Sequence, residues 1–204
     1  MSNSTNKRLI ATGVMALIVV FHPEIRKFLI FIGKNYNVNR ILSLDKLFGS
    51  AKVKTIDREQ IDNLVEACIS MSKTKTGALI VIAGDSELTD QINTGERLNA
   101  KISSALIRTI FFKNSPLHDG AIIIKGNRIS AAGCILPLTQ KELDKTLGLR
   151  HRAAIGITEN TDAISIVVSE ERGSISFSQE GELKRRISKE VLVSLLEENI
   201  VNSE

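Results

Sequence analysis

Tryptophan is absent from this 204-residue chain, aromatic residues make up 4% of it, and there are only three prolines and two cysteines. Without rings, a core has to be built from Ile, Leu, Val and Ala. Cys68 and Cys134 lie in apolar runs, with no CxxC spacing and no neighbouring His motif, so they read as buried thiols of a reducing compartment rather than a disulfide or metal pair. Charge of one sign is also scarce. The net charge of +4 accommodates an anionic ligand or an anionic membrane surface but falls well short of a nucleic-acid footprint, so no nucleic-acid partner is expected. No Walker A loop, GxGxxG, GxSxG elbow or HExxH is present, which leaves any nucleotide to be bound by another arrangement. Repeats and low-complexity tracts are lacking too.

Long hydrophobic runs are few. Leu9 to Phe21 is uncharged and mostly aliphatic, follows Lys7-Arg8 and is broken by His22-Pro23-Glu24. That is short of the ~20 apolar residues of a bilayer-spanning helix. No small-residue cleavage site of A-x-A type follows, so secretion is not expected. Residues 1–32 therefore read either as a helical pair packed on the domain or as the remnant of a membrane anchor. The corresponding locations are the cytoplasmic face of the cell membrane, or the cytoplasm if the segment does not insert. Residues 33–54 are polar enough to be a connector, and 55–204 have the length and composition of one globular domain.

Within that domain Asp57 is placed to cap a helix carrying Ile61, Leu64, Val65, Cys68 and Ile69 at helical spacing. Ala78–Ile82 is a continuous apolar strand, Gly84–Gly95 a polar loop, and a helix runs through Ile102, Leu106, Ile107 and Ile110. Ala121–Ile124 and Arg128–Leu136 form a hairpin around Gly126-Asn127. Lys141–Leu147 reads as a short helix ending at Gly148. Ala163–Val168 and Ser174–Phe177 are strands, and Ser188 caps a last helix through Val191, Leu192, Leu195 and Leu196. Alternating strands and helices with one inserted hairpin predict an α/β fold: a single domain with a mixed β-sheet flanked by helices, preceded by the N-terminal helical segment.

Three polar clusters stand out. Asp119-Gly120 alone is an ordinary turn, and Arg150-His151-Arg152 alone an ordinary basic loop. Ser169-Glu170-Glu171, however, directly follows a buried strand, where α/β sheets hold ligands. Guanidiniums grip phosphates through forked donors, so together the clusters point to phosphoryl or nucleotidyl chemistry.

Ser115-Pro116-Leu117-His118-Asp119-Gly120-Ala121, with Gly148-Leu149-Arg150-His151-Arg152-Ala153-Ala154-Ile155-Gly156, strongly resembles the catalytic domain of the diadenylate cyclases. Gly77-Ala78-Leu79-Ile80-Val81, Leu136-Pro137-Leu138 and Ser169-Glu170-Glu171 extend the resemblance from about residue 55 to the last helix. Val19 to Arg26 looks like the end of the last membrane helix in the membrane-bound branch. The resemblance implies condensation of two ATP into cyclic di-AMP with loss of two pyrophosphates, a divalent metal (Mg2+ or Mn2+) and a head-to-head homodimer. It implies that Asp119 acts at the attacking 3′-hydroxyl and that Arg150, His151 and Arg152 hold the triphosphate. Gly120, Ala121, Leu149 and Ser169 would contact the nucleotide, Ile135 and Leu136 would line the adenine slot, and His118 and Glu171 would serve the metal. His118 has an alternative in bonding within its turn, and large apolar residues at 135 and 136 are equally what a plain core strand requires. One departure is Leu149, where the family commonly has Thr, so a hydroxyl contact to phosphate is lost there. A catalytically impaired nucleotide-binding regulatory module is the alternative, and a membrane-tethered scaffold a further one.

Overall fold

A strand covered on both faces is apolar throughout, whereas one covered on a single face alternates. The computed structural model describes residues 56–200 apart from Lys145, all within the unit Ala51–Glu204; the expectations for residues 1–32 and 33–54 lie outside the described residues. The elements are α1 (Arg58–Lys73), β1 (Ala78–Ile82), α2 (Thr89–Ile92), β2 (Glu96–Lys101), α3 (Ser104–Ile110), β3 (Ala121–Lys125), β4 (Arg128–Cys134), α4 (Leu149–Asn160), β5 (Ile164–Val168), β6 (Ile175–Gln179), β7 (Glu182–Arg185) and α5 (Lys189–Ile200). One sheet of seven strands runs in the order β2-β4-β3-β1-β5-β6-β7, with β1 and β3 parallel and every other neighbouring pair antiparallel. The expected mixed sheet flanked by helices is what forms.

Both faces are packed. Ile80, Ile82, Ile122, Ile124, Ile166 and Val168 join Leu64 and Cys68 of α1, Ile107 of α3 and Leu192 and Leu196 of α5 in one cluster. The alternate residues Leu79, Val81, Ile123 and Val167 point the other way, against Ala153, Ala154 and Ile157 of α4. Helices on both sides thus account for the unbroken apolar run of each central strand. Burial pushes the Cys68 thiol up to about 12, which keeps it protonated and inert.

Several local expectations change, the expected polar loop Gly84–Gly95 holding α2 among them. Asp57 precedes α1 but caps nothing with its side chain. Instead it exchanges two bonds with Asn127 of the β3–β4 turn, donating from its amide (2.8 Å) and accepting on Oδ2 (2.7 Å), so the residue ties helix to hairpin. The described residues of Lys141–Leu147 form no helix. Asp144 Oδ1 accepts from the Thr146 amide at 2.9 Å, and Arg185 bridges Asp144 and Thr146 at 3.1 Å each. These side-chain bonds compete with helical ones and prevail over a short polar stretch. Residues 149–160, expected as a loop at their start, form a 12-residue helix. Strands β2 and β7 emerge from sequence that carries no strand pattern.

Candidate active site

Register gathers the three polar clusters at one end of the sheet. Because β1 and β3 are parallel, both begin there; the antiparallel pairs Ala78↔Val168 and Ala121↔Cys134 make β5 and β4 end there. Gly77, Asp119-Gly120, Ile135-Leu136 and Ser169-Glu170-Glu171 therefore converge. In doubly wound parallel sheets the ligand end is the carboxyl end of every strand. Here the same end combines the amino ends of β1 and β3 with the carboxyl ends of β4 and β5.

The first turn of α4 closes this end, and a cavity of about 830 Å³ lies between them. His118, Asp119, Gly120, Ile135, Leu136, Leu149, Arg150, His151, Ser169 and Glu171 all line it, as do Cys134, Leu138, Thr146 and Glu170. Ala121 and Arg152 do not. Ala121 is buried under the sheet end, and Arg152 stands half-buried on α4, its carbonyl accepting from Thr139 N at 3.2 Å.

Asp119 is exposed at the mouth. Gly120 has φ +123°, and a Cβ there would stand 2.7 Å from the Gly133 carbonyl carbon and 2.9 Å from Cys134 O. Glycine at 120 is thus demanded by its own β4 neighbour, a reason independent of any ligand. Gly148 starts α4 with no side-chain cap, so the first amides of the helix, including Leu149 and Arg150, face the cavity end without intrahelical acceptors. Such an amide cluster, with the positive end of the helix dipole, favours an anion. Leu149 itself is 71% exposed and Ile135 70%, two large apolar side chains at the rim. The Ile135 amide is fixed by Thr94 Oγ1 at 2.8 Å.

Arg150 donates from Nη1 to Glu170 Oε2 at 2.9 Å and from Nη2 to the His118 carbonyl at 3.5 Å. Its Nε is buried without a partner. His151 is buried, and burial, helped by the nearby Arg185 cation, lowers its pKa below the ordinary histidine value, so near pH 7 the ring is neutral. Ser169 Oγ accepts weakly from the Arg172 amide at 3.3 Å and keeps its own hydrogen to donate. His118 Nδ1 lies 2.6 Å from the Ser115 carbonyl oxygen. That oxygen only accepts, so Nδ1 carries a proton, which leaves Nε2 as the ring's ligand atom in the tautomer a metal-ligating histidine uses. Glu171 is exposed on the cavity wall. Among the described residues no group of three or more His, Cys, Asp or Glu is placed to hold a metal.

Two residues named in the sequence gain a role only from their contact in the fold. Glu170 was visible only as part of a polar cluster, and its pairing with Arg150 spans 20 residues. In sequence Gly77 is only one residue of the stretch Gly77–Val81 that carries the resemblance. A Cβ at 77 would lie 2.8 Å from both Arg150 Nη1 and Glu170 Oε2, so the ion pair occupies the space its missing side chain leaves.

Residues 65–183 match the family described as DisA bacterial checkpoint controller nucleotide-binding, or DAC. A diadenylate cyclase of Listeria monocytogenes serotype 1/2a (strain 10403S) is 45% identical over 198 residues, 95% of this chain and 68% of the relative. The fold is similar to a crystal structure of a double cysteine mutant of DacA from Staphylococcus aureus, with TM-score 0.68 and 44% identity over 69% of this chain and 95% of that one. It is also similar to a structure described as a hypothetical membrane-spanning protein from Bacillus cereus (TM-score 0.62, 33% identity, 91% of this chain and 90% of that one). With the family match covering more than half its length and a relative this similar along nearly all of it, the chain belongs to the diadenylate cyclase family.

Proposed function

We propose that this chain is a diadenylate cyclase that condenses two molecules of ATP into cyclic di-AMP and releases two pyrophosphates. The observation that carries the reading is the convergence of the Asp119 carboxylate, the Arg150 guanidinium, the Ser169 hydroxyl and the first turn of α4 on one cavity. In each half-reaction a ribose 3′-oxygen forms a bond to the α-phosphorus of the other nucleotide, and the bond from that phosphorus to the β-bridging oxygen breaks. Asp119, exposed at the mouth, takes or orients the 3′-hydroxyl proton. Arg150 and the free amides of α4 offset charge growing on the phosphates, with a hydrogen bond from Ser169. Neutral His151 contributes a donor rather than a charge. Exposed Ile135, with buried Leu136 behind it, suits one face of an adenine, and the Leu149 amide does without the family's usual hydroxyl.

The family is nucleotide-utilising and generally dependent on a divalent metal. The donors on this chain fit such an ion held partly by substrate: His118 through Nε2 and Glu171 through its carboxylate. When bound, Mg2+ or Mn2+ would supply Lewis-acid neutralisation of phosphate charge. Arg152 stands off the cavity, and its contribution belongs to a head-to-head homodimer in which two sites face each other. Membrane association would run through residues 1–32. No helix among the described residues is long and apolar enough to cross a membrane.

The test is to incubate the purified protein with ATP and Mg2+ or Mn2+ and quantify cyclic di-AMP and pyrophosphate. Product at one cyclic dinucleotide per two pyrophosphates supports the reading. Nucleotide binding with no product under either metal would instead identify a regulatory module.

A further inference from the structure

Arg150 is the guanidinium in the cavity, and the protein holds it in an unusual way. Of its five N–H donors, Nε is buried with no partner, one on Nη1 goes to Glu170 (2.9 Å) and one on Nη2 reaches the His118 carbonyl (3.5 Å). That leaves one N–H on each terminal nitrogen free to meet phosphate oxygens. The Arg150 side chain is 23% exposed while that of Glu170 is 64% exposed, so the half-buried cation is stabilised by a carboxylate standing outside it. An arginine carries four rotatable bonds, and one neutral contact at 3.5 Å cannot fix it. Glu170 supplies the charged anchor and Gly77 the space, since a Cβ at 77 would fall 2.8 Å from both partners.

Resting on the cyclase reading above, we infer that Glu170 is a positioning residue: its ion pair with Arg150, seated in the gap left by Gly77, pre-sets the guanidinium for the nucleotide's phosphates. Preorganisation of this kind lowers the ordering cost of binding and so acts on affinity. Glu170 acts through Arg150 and takes no part in the bond-making step. Because the atoms nearest a Cβ at 77 are the tips of two flexible side chains, Gly77→Ala moves the pair and leaves the backbone in place.

The probe is a non-condensing ATP analogue with a methylene group between the α- and β-phosphates, titrated by calorimetry against the full chain and its variants. Glu170→Ala should weaken analogue binding and raise KM for ATP about tenfold, with kcat within about threefold and an unchanged melting temperature. Glu170→Gln, which keeps the acceptor, should recover most of that loss. Gly77→Ala should reproduce Glu170→Ala. In an Arg150→Ala background, Glu170→Ala should add no further loss. Unchanged or tighter analogue binding by Glu170→Ala, or an equal loss in the Arg150→Ala background, overturns the inference. A wild-type chain that binds the analogue but makes no cyclic di-AMP defeats the cyclase reading instead, and leaves this binding comparison intact.

Discussion

Asp119 carries the chemistry proposed here while making no contact that the fold depends on: it is exposed and sits in the turn before β3. Asp119→Asn keeps the size and one acceptor oxygen but loses the charge that takes or orients the 3′-hydroxyl proton, a contribution typically worth ~10²–10⁴-fold. The expected outcome is a fall in kcat of that order with nucleotide affinity nearly unchanged, read from product formation beside calorimetry. His151 behaves differently. Burial, with Arg185 nearby, depresses its pKa, so the unfolded chain binds a proton more readily than the folded one. Stability from this group is complete above the ordinary histidine value near 6.5 and declines as pH falls below it. A melting temperature that drops between about pH 7 and pH 5, and drops less in His151→Gln, is the expected result. Equal slopes in the two proteins would show that His151 titrates normally.

At the scale of elements, α4 sets the site because it lies almost in contact with the chain that follows β4. A Cβ at Gly156 would run into the Pro137 carbonyl and stand 2.7 Å from Thr139 N and 2.9 Å from the Leu138 carbonyl carbon. These are backbone atoms, held further by the Thr139 N to Arg152 O bond, and cannot swing aside. Gly156→Ala should therefore cost about 2–3 kcal/mol, the upper part of the overpacking range, and lower the melting temperature by roughly 4–12 °C. Gly148→Ala, with nothing within 4 Å of its Cβ, should stay within about 0.5 kcal/mol. Thermal melts of the two variants make the comparison. The same helix shows why part of the fold was illegible in sequence. Its residues Ala153–Thr158 are all buried, so no polar face marks a helical period. Strands β2 and β7 are edge strands, polar because they are exposed, and β2 has a register shift around Asn99 at φ 46°. β1, β3 and β5 were legible because the sheet is covered on both faces. In the site, Asp119, Arg150 and Ser169 were marked by their local motifs. The Gly77–Glu170–Arg150 contact was not, because it takes the Ala78↔Val168 register to bring Gly77 beside Glu170 and the packing of α4 on the sheet to bring Arg150 to both.

For the whole molecule, the reaction proposed joins two nucleotides, whereas the residues proposed to line a nucleotide converge, in one chain, on one cavity. The attacking 3′-hydroxyl and the α-phosphate it reaches belong to different ATP molecules, so a second copy has to present the other at near-contact distance. The rim is fitted for such an approach. Leu149 and Ile135 are 71% and 70% exposed and Leu138 45%, three apolar side chains around the opening that holds Asp119. Apolar groups left in water around a polar mouth are typical of a surface that becomes covered. Specific activity should accordingly rise with protein concentration, faster than linearly in total rate, through the range in which sedimentation detects dimer formation, and level off once dimers dominate. Replacing Leu149 and Ile135 together by Ser should move that range to higher concentration. A specific activity that stays constant down to concentrations where the chain sediments wholly as monomer would refute the two-site arrangement, because one cavity would then be completing both condensations alone.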